Sequence, residues 1–186
     1  MKTVIQLGIL SLIAFQSHAL TFSVEKNERM DTDTLPIPKG IPNMLFYVQR
    51  TLNSNTVVYE LNTNDKNQLD KDNPVNIFWI RYTENKQKED LSYIQRIYAY
   101  GLKTKKLDNN NYELRFVSYK KLPFYLTQSK DKQYHVYATI KKKQVMLTRI
   151  FIQIEGGTFW FPNVVFVEFK GIDPATGEVI TERFKP

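Results

Sequence analysis

From residue 43 onward the chain is a succession of short runs rich in β-branched and aromatic residues, separated by polar breaks. That is the pattern of strands in series. Met44–Arg50 is the first run; Asn53-Ser54-Asn55 marks a turn, and Thr56–Asn62 follows, so the pair predicts a hairpin. Residues 63–73 are dense in Asn, Asp and Lys and predict a loop. Pro74 opens the run Val75–Tyr82, in which Ile77 and Trp79 fall on one face and Phe78 and Ile80 on the other. A strand apolar on both faces belongs inside a sheet rather than at its edge.

The period then changes. Leu91, Ile94 and Tyr98 form an i, i+3, i+7 stripe with Ile97 beside it, Asp90 is placed to cap, and Gly101 stands where a C′ glycine would end a helix of about ten residues. Alternation returns after the Asn109-Asn110-Asn111 turn, in Tyr112–Val117, and after Pro123, in Phe124–Leu126. In Tyr134–Ile140 it places Tyr134, Val136, Ala138 and Ile140 on one face and His135, Tyr137 and Thr139 on the other. Val145–Glu155 is the longest run; Met146, Ile150, Ile152 and Ile154 predict its apolar face, interrupted by Thr148. Gly156-Gly157 signals a turn before Val164–Phe169. Asp173-Pro174-Ala175-Thr176-Gly177 signals another before Glu178–Phe184. About eight strands and one short α-helix joined by short turns predict a mainly β fold, an antiparallel β-barrel or barrel-like sandwich. Nothing divides residues 43–186, which read as a single β-rich domain without repeats.

The N-terminus is different in kind. Lys2, the apolar run Val4–Phe15 and the small-residue flank Ser17-His18-Ala19 have the layout of a signal peptide over residues 1–19, and the run is shorter than the roughly 20 residues that span a bilayer. No cysteine follows it for lipid attachment, and no later stretch is long enough to cross a membrane as a helix. Residues 20–42, with Pro36, Pro38 and Pro42, read as an extended leader. The expectation is an exported protein, periplasmic or extracellular, without a transmembrane segment in its mature form. The chain has no cysteine, so its stability rests on core burial, to which 11 Tyr and 12 Phe contribute. The formal net charge of +7 would suggest nucleic acid in a cytosolic protein, but export removes that partner. Lys103-Thr104-Lys105-Lys106 and Lys141-Lys142-Lys143 read as edge protection and solvated turns.

Candidate chemistry is sparse. Outside the signal peptide the one histidine is His135, which argues against a zinc site and predicts no metal and no cofactor. Ser129, Asp131 and His135 are close in sequence, but no nucleophile elbow or oxyanion loop accompanies them. No catalytic residue is assigned. Strand carboxylates Glu60, Glu113 and Glu168 leave one hydrolytic route, a facing pair of the glycosidase kind. Two constellations remain. Glu60, Arg81, Arg149 and Glu168 are charges set within apolar strands, Arg81 on the face of Ile77 and Trp79, Arg149 on the face of Leu147 and Phe151. They form either the floor of a pocket for an anionic or polar group, or cross-strand Arg–Glu pairs on an outer face. The other is Phe159-Trp160-Phe161 after the glycine turn: the lip of a ligand cavity, a contact for a partner or lipid surface, or an aromatic plug against Leu91, Ile94 and Tyr98.

Taken together, Val57–Asn62, Pro74–Tyr82, Leu91–Gly101 with Gln95-Arg96 and Ala99-Tyr100-Gly101, Arg149–Ile152 and Glu168–Asp173 with Thr176-Gly177 resemble an uncharacterised family of small exported bacterial proteins, domain of unknown function 4833, over about residues 43–186. The resemblance implies a bacterial envelope setting and carries over no activity.

Three functions follow for test. The first is a non-catalytic exported binding protein for a small apolar or amphipathic ligand, its site drawn from Trp79, Arg81, Arg149, Phe159, Trp160, Phe161 and Glu168. It requires an internal cavity of about 300 Å³ or more with Arg81 or Arg149 reaching in. The second is an envelope protein-interaction module, requiring a filled core and an exposed apolar patch. The third is a carbohydrate-active hydrolase, requiring two carboxylates in one cleft.

Overall fold

The computed structural model describes residues 35–186 apart from 52, 67, 130, 131, 159 and 160. The signal peptide expected over residues 1–19, the first part of the leader (20–34), Asp131, Phe159 and Trp160 lie outside the described residues.

Among the described residues eleven strands belong to one sheet: β1 (Met44–Arg50), β2 (Asn53–Leu61), β3 (Val75–Arg81), β4 (Gln87–Asp90), β5 (Leu102–Lys106), β6 (Tyr112–Phe116), β7 (Phe124–Gln128), β8 (Tyr134–Ile140), β9 (Lys143–Gly157), β10 (Pro162–Ile172) and β11 (Val179–Phe184). Among the described residues a single α-helix, α1 (Tyr93–Tyr98), lies between β4 and β5. Nine strands run in the order β4-β3-β2-β1-β9-β8-β7-β6-β5, while β10 and β11 branch from β9. The fold is mainly β with one short helix, as the alternation predicts. It corrects the expectation of an antiparallel barrel of about eight strands in two respects. The end strands β4 and β5 do not pair, so the sheet is an open half-barrel. It is also mixed, because β1 runs parallel to β9, Tyr47 opposite Arg149 and Arg50 opposite Ile152.

This geometry centres on β9. β10 pairs with it from Gly157 back to Met146, taking one edge. The other edge is shared in succession: β8 holds it at Lys143–Met146 and β1 from Arg149 to Ile152. The sheet therefore forks at β9, and the arms β1-β2-β3-β4 and β8-β7-β6-β5 enclose a common core. Phe46 of β1 stacks on Tyr59 at 4.3 Å and on Phe124 of the opposite arm at 6.5 Å.

The fork coincides with a bulge. Lys170 of β10 lies opposite Arg149 and Gly171 opposite Leu147, leaving Thr148 unpaired, its hydroxyl donating to Lys170 O at 3.0 Å. An extra residue reverses the phase of a strand. Val145 and Leu147 point into the core before it, Ile150 and Ile152 after it. The apolar face read as Met146, Ile150, Ile152 and Ile154 is thus corrected, and Arg149 shares its outward face with Phe151 but not with Leu147. Gly171 is required here, since a Cβ would lie 2.6 Å from both Met146 O and Val145 Cγ2.

Elsewhere the phases hold. Ile77 and Trp79 join the main core, whereas Phe78 and Ile80 form a second cluster with Tyr47 and Val58 on the outer face. Val136, Ala138 and Ile140 of β8 all point inward. The two strands that alternation missed, β4 and β5, consist of exposed polar residues apart from Leu102. Both are terminal, and charged side chains there oppose edge-to-edge association.

Candidate functional site

The helix differs from its prediction. It starts at Tyr93, capped by Ser92 and not by Asp90, which ends β4. Ser92 Oγ accepts from Gln95 N, and Gln95 Oε1 accepts from Ser92 N, a reciprocal capping box. Six residues are too few to be stable alone, so tertiary contacts hold the segment. Trp79 Nε1 donates to Gln95 Oε1 at 3.2 Å, and Tyr59 Oη donates to Tyr100 O at 2.7 Å. Gly101 lets the exit pass beneath the last turn; a Cβ would stand 1.8 Å from Arg96 O. Of the predicted apolar stripe only Leu91 is buried, and it precedes the helix. Tyr93, Ile94, Ile97 and Tyr98 are exposed. The segment joins the open ends of the half-barrel, so its stripe has no continuous sheet to lie against.

Beneath α1 is a cavity of about 450 Å³. The helix contributes Ile94 and Tyr98, the forked sheet contributes Val48, Ile150 and Ile152, and β10 and β11 contribute Val167 and Phe184. Among the described residues that line it, the one charged side chain is Arg50. Arg50 ends β1 in the phase of Phe46 and Val48, which are core residues, and lies opposite Ile152. Its Nε is buried without a hydrogen-bond partner. Beside it, burial raises the Tyr100 phenol above its ordinary pKa, and the positive charges of Arg50 and Arg81 act against that rise.

The residues singled out by sequence lie elsewhere. Trp79 is core, 2 % exposed. Arg81 sits over the Trp79 ring at 5.0 Å and grips Glu89 of β4 through Nε at 2.7 Å and Nη2 at 3.1 Å, which holds the Glu89 carboxyl below its usual range. Glu168 accepts from Arg183 Nε, directly opposite on β11, and Glu60 lies 3.7 Å from Lys88. Arg81–Glu89 and Arg183–Glu168 are Arg–Glu cross-strand pairs of the second reading, whereas Glu60 meets a lysine two strands away. Arg149 is buried on the outer face, 5.4 Å from the Phe151 ring, and its charge opposes the rise in the Tyr47 pKa that burial causes. Phe161 is 81 % exposed and plugs nothing. None of Trp79, Arg81, Arg149, Phe161 and Glu168 lines the cavity. Sequence reasoning passed over Arg50 because it precedes a turn, where arginine is ordinarily solvated. Its i, i+2, i+4 phase with Phe46 and Val48 was the available signal.

The cavity lining among the described residues contains no carboxylate side chain and no histidine. Nor do the described residues contain a group of three His, Cys, Asp or Glu side chains placed to hold a metal. No helix among them is long and apolar enough to cross a membrane.

Fold and cavity define the class: an open β half-barrel with an apolar cavity where the helix spans its ends. The chain belongs to the family described as Domain of unknown function (DUF4833), whose model matches residues 46–183. No curated protein and no solved structure matches it.

Proposed function

We propose that this protein binds a small amphipathic molecule in the cavity beneath α1 and performs no chemistry on it. The observation that carries the reading is a cavity of about 450 Å³ whose lining is mostly aliphatic and aromatic, with one guanidinium at its wall. Ligand sites are commonly of about 300–1,000 Å³, apolar with a few polar groups that orient the guest. The signal-peptide layout read in residues 1–19 supports a role outside the cytoplasm, where an apolar solute needs a carrier or receptor.

Titration with the neutral fluorophore N-phenylnaphthylamine tests this. The expected result is saturable binding of one probe per chain, lost in Val164→Trp, which fills the cavity, with the far-ultraviolet spectrum retained. Absence of saturable binding to the native chain would sink the proposal.

A second reading, the envelope interaction module, has its own support in the exposed Tyr93, Ile94, Ile97 and Tyr98. It predicts that Ile97→Lys abolishes recovery of a partner by cross-linking in the envelope while leaving probe binding in place.

A further inference from the structure

The cavity has an asymmetry that apolar capture alone does not use. Its walls are hydrocarbon, yet Arg50 is placed on the inward face of β1, between Val48 and the turn into β2. A guanidinium costs free energy to bury beside apolar walls unless an anion meets it. Every other charged strand residue described above has found its counterpart within the protein or faces outward: Arg81 has Glu89, Glu168 has Arg183, Glu60 has Lys88. Among the described residues Arg50 makes no ion pair with an Asp or Glu, and its buried Nε has no hydrogen-bond partner. Among the described residues no acidic side chain lines the cavity.

We infer that the guest is an amphiphile with a single carboxylate head, that Arg50 receives this head, and that the hydrocarbon tail lies along Ile150, Ile152 and Val167. The inference rests on the proposed cavity function and adds its selectivity. A carboxylate fits because its two oxygens match the fork of a guanidinium, and the charge-assisted bonds formed are stronger than those of a neutral hydroxyl. Ile94 and Tyr98 of α1 cover the tail, which gives the exposed helical stripe an apolar surface to meet when the site is filled.

The test displaces bound N-phenylnaphthylamine from the full mature chain with decanoate, decanol and decylamine, which share one tail. Decanoate is expected to act at a concentration about tenfold lower than decanol, the difference between a charge-assisted and a neutral hydrogen bond. Decylamine is expected to be weakest. In Arg50→Gln the ratio of decanoate to decanol should fall to about one, and in Arg50→Lys it should stay above one. Arg81→Gln, outside the cavity, should keep the native ratio. Probe binding with equal displacement by decanoate and decanol, or a native ratio surviving in Arg50→Gln, would overturn the inference and leave the cavity reading standing. Failure of the native chain to bind the neutral probe would overturn the cavity reading itself.

Discussion

Trp79 and Gln95 meet through one hydrogen bond that ties the helix to the core: Trp79 Nε1 donates to Gln95 Oε1 at 3.2 Å, and that oxygen also accepts from Ser92 N at 3.0 Å. One amide thus caps the helix, satisfies the indole of a buried tryptophan and lines the cavity. Gln95→Ala leaves the indole N–H buried without an acceptor, which is expected to cost about 1–3 kcal/mol. Urea unfolding of Gln95→Ala beside Gln95→Glu, which retains an acceptor, checks it; equal stability of native and Gln95→Ala chains would remove Gln95 from this role.

Gly101 sets how closely the chain leaves the helix. Its Cβ position lies inside the contact distance of Arg96 O, a backbone atom that cannot step aside alone. Gly101→Ala is expected to displace α1 and to lower stability by about 1–3 kcal/mol, the usual cost of overpacking. Thermal unfolding measures the loss, and probe binding should weaken with it.

The β8–β9 hairpin turns through Lys141 and Lys142, both at positive φ (49° and 64°), where a side chain is disfavoured. Glu182 offsets part of that cost by accepting from Lys141 N at 2.7 Å. Lys142→Gly is expected to raise stability by about 1 kcal/mol, since glycine adopts this conformation freely. No gain in the urea midpoint would show that the lysine is unstrained.

Glu168 is buried, and its partner Arg183 is half exposed. Arg183→Met strands the carboxylate in apolar surroundings at a cost of about 1–3 kcal/mol. The double substitution Glu168→Gln with Arg183→Met is expected to recover part of the loss, which a double-mutant cycle by chemical denaturation resolves.

Burial raises the phenol pKa of Tyr47, Tyr59 and Tyr100, that of Tyr59 well above its ordinary value. The unfolded chain releases these protons near pH 10, whereas the folded chain keeps them. Stability is therefore unaffected by them below about pH 10 and falls as the pH rises beyond it. Part of the tyrosinate absorbance should climb in a cooperative step together with loss of the β spectrum, and Tyr59→Phe should move that step to higher pH. A rise that runs to completion with the fold intact would contradict the assignment.

Much of this protein was determined by its sequence. Period-two alternation is a local property of the backbone, so the inward faces of β3 and β8, the β1–β2 hairpin and the Asp173–Gly177 turn were legible without coordinates. Edge strands β4 and β5 were not, because an exposed edge carries no apolar signal. Tertiary structure decided the rest. A residue about a hundred positions from Arg50 had to come beside it before the parallel pairing with Ile152 existed, and the bulge at Thr148 depends on how β10 meets β9. That bulge sends Arg149 outward, while the fork and the helix leave Arg50 beside a cavity. Which arginine faces a cavity is set by strand phase summed over distant pairings, and no local window of sequence contains that sum.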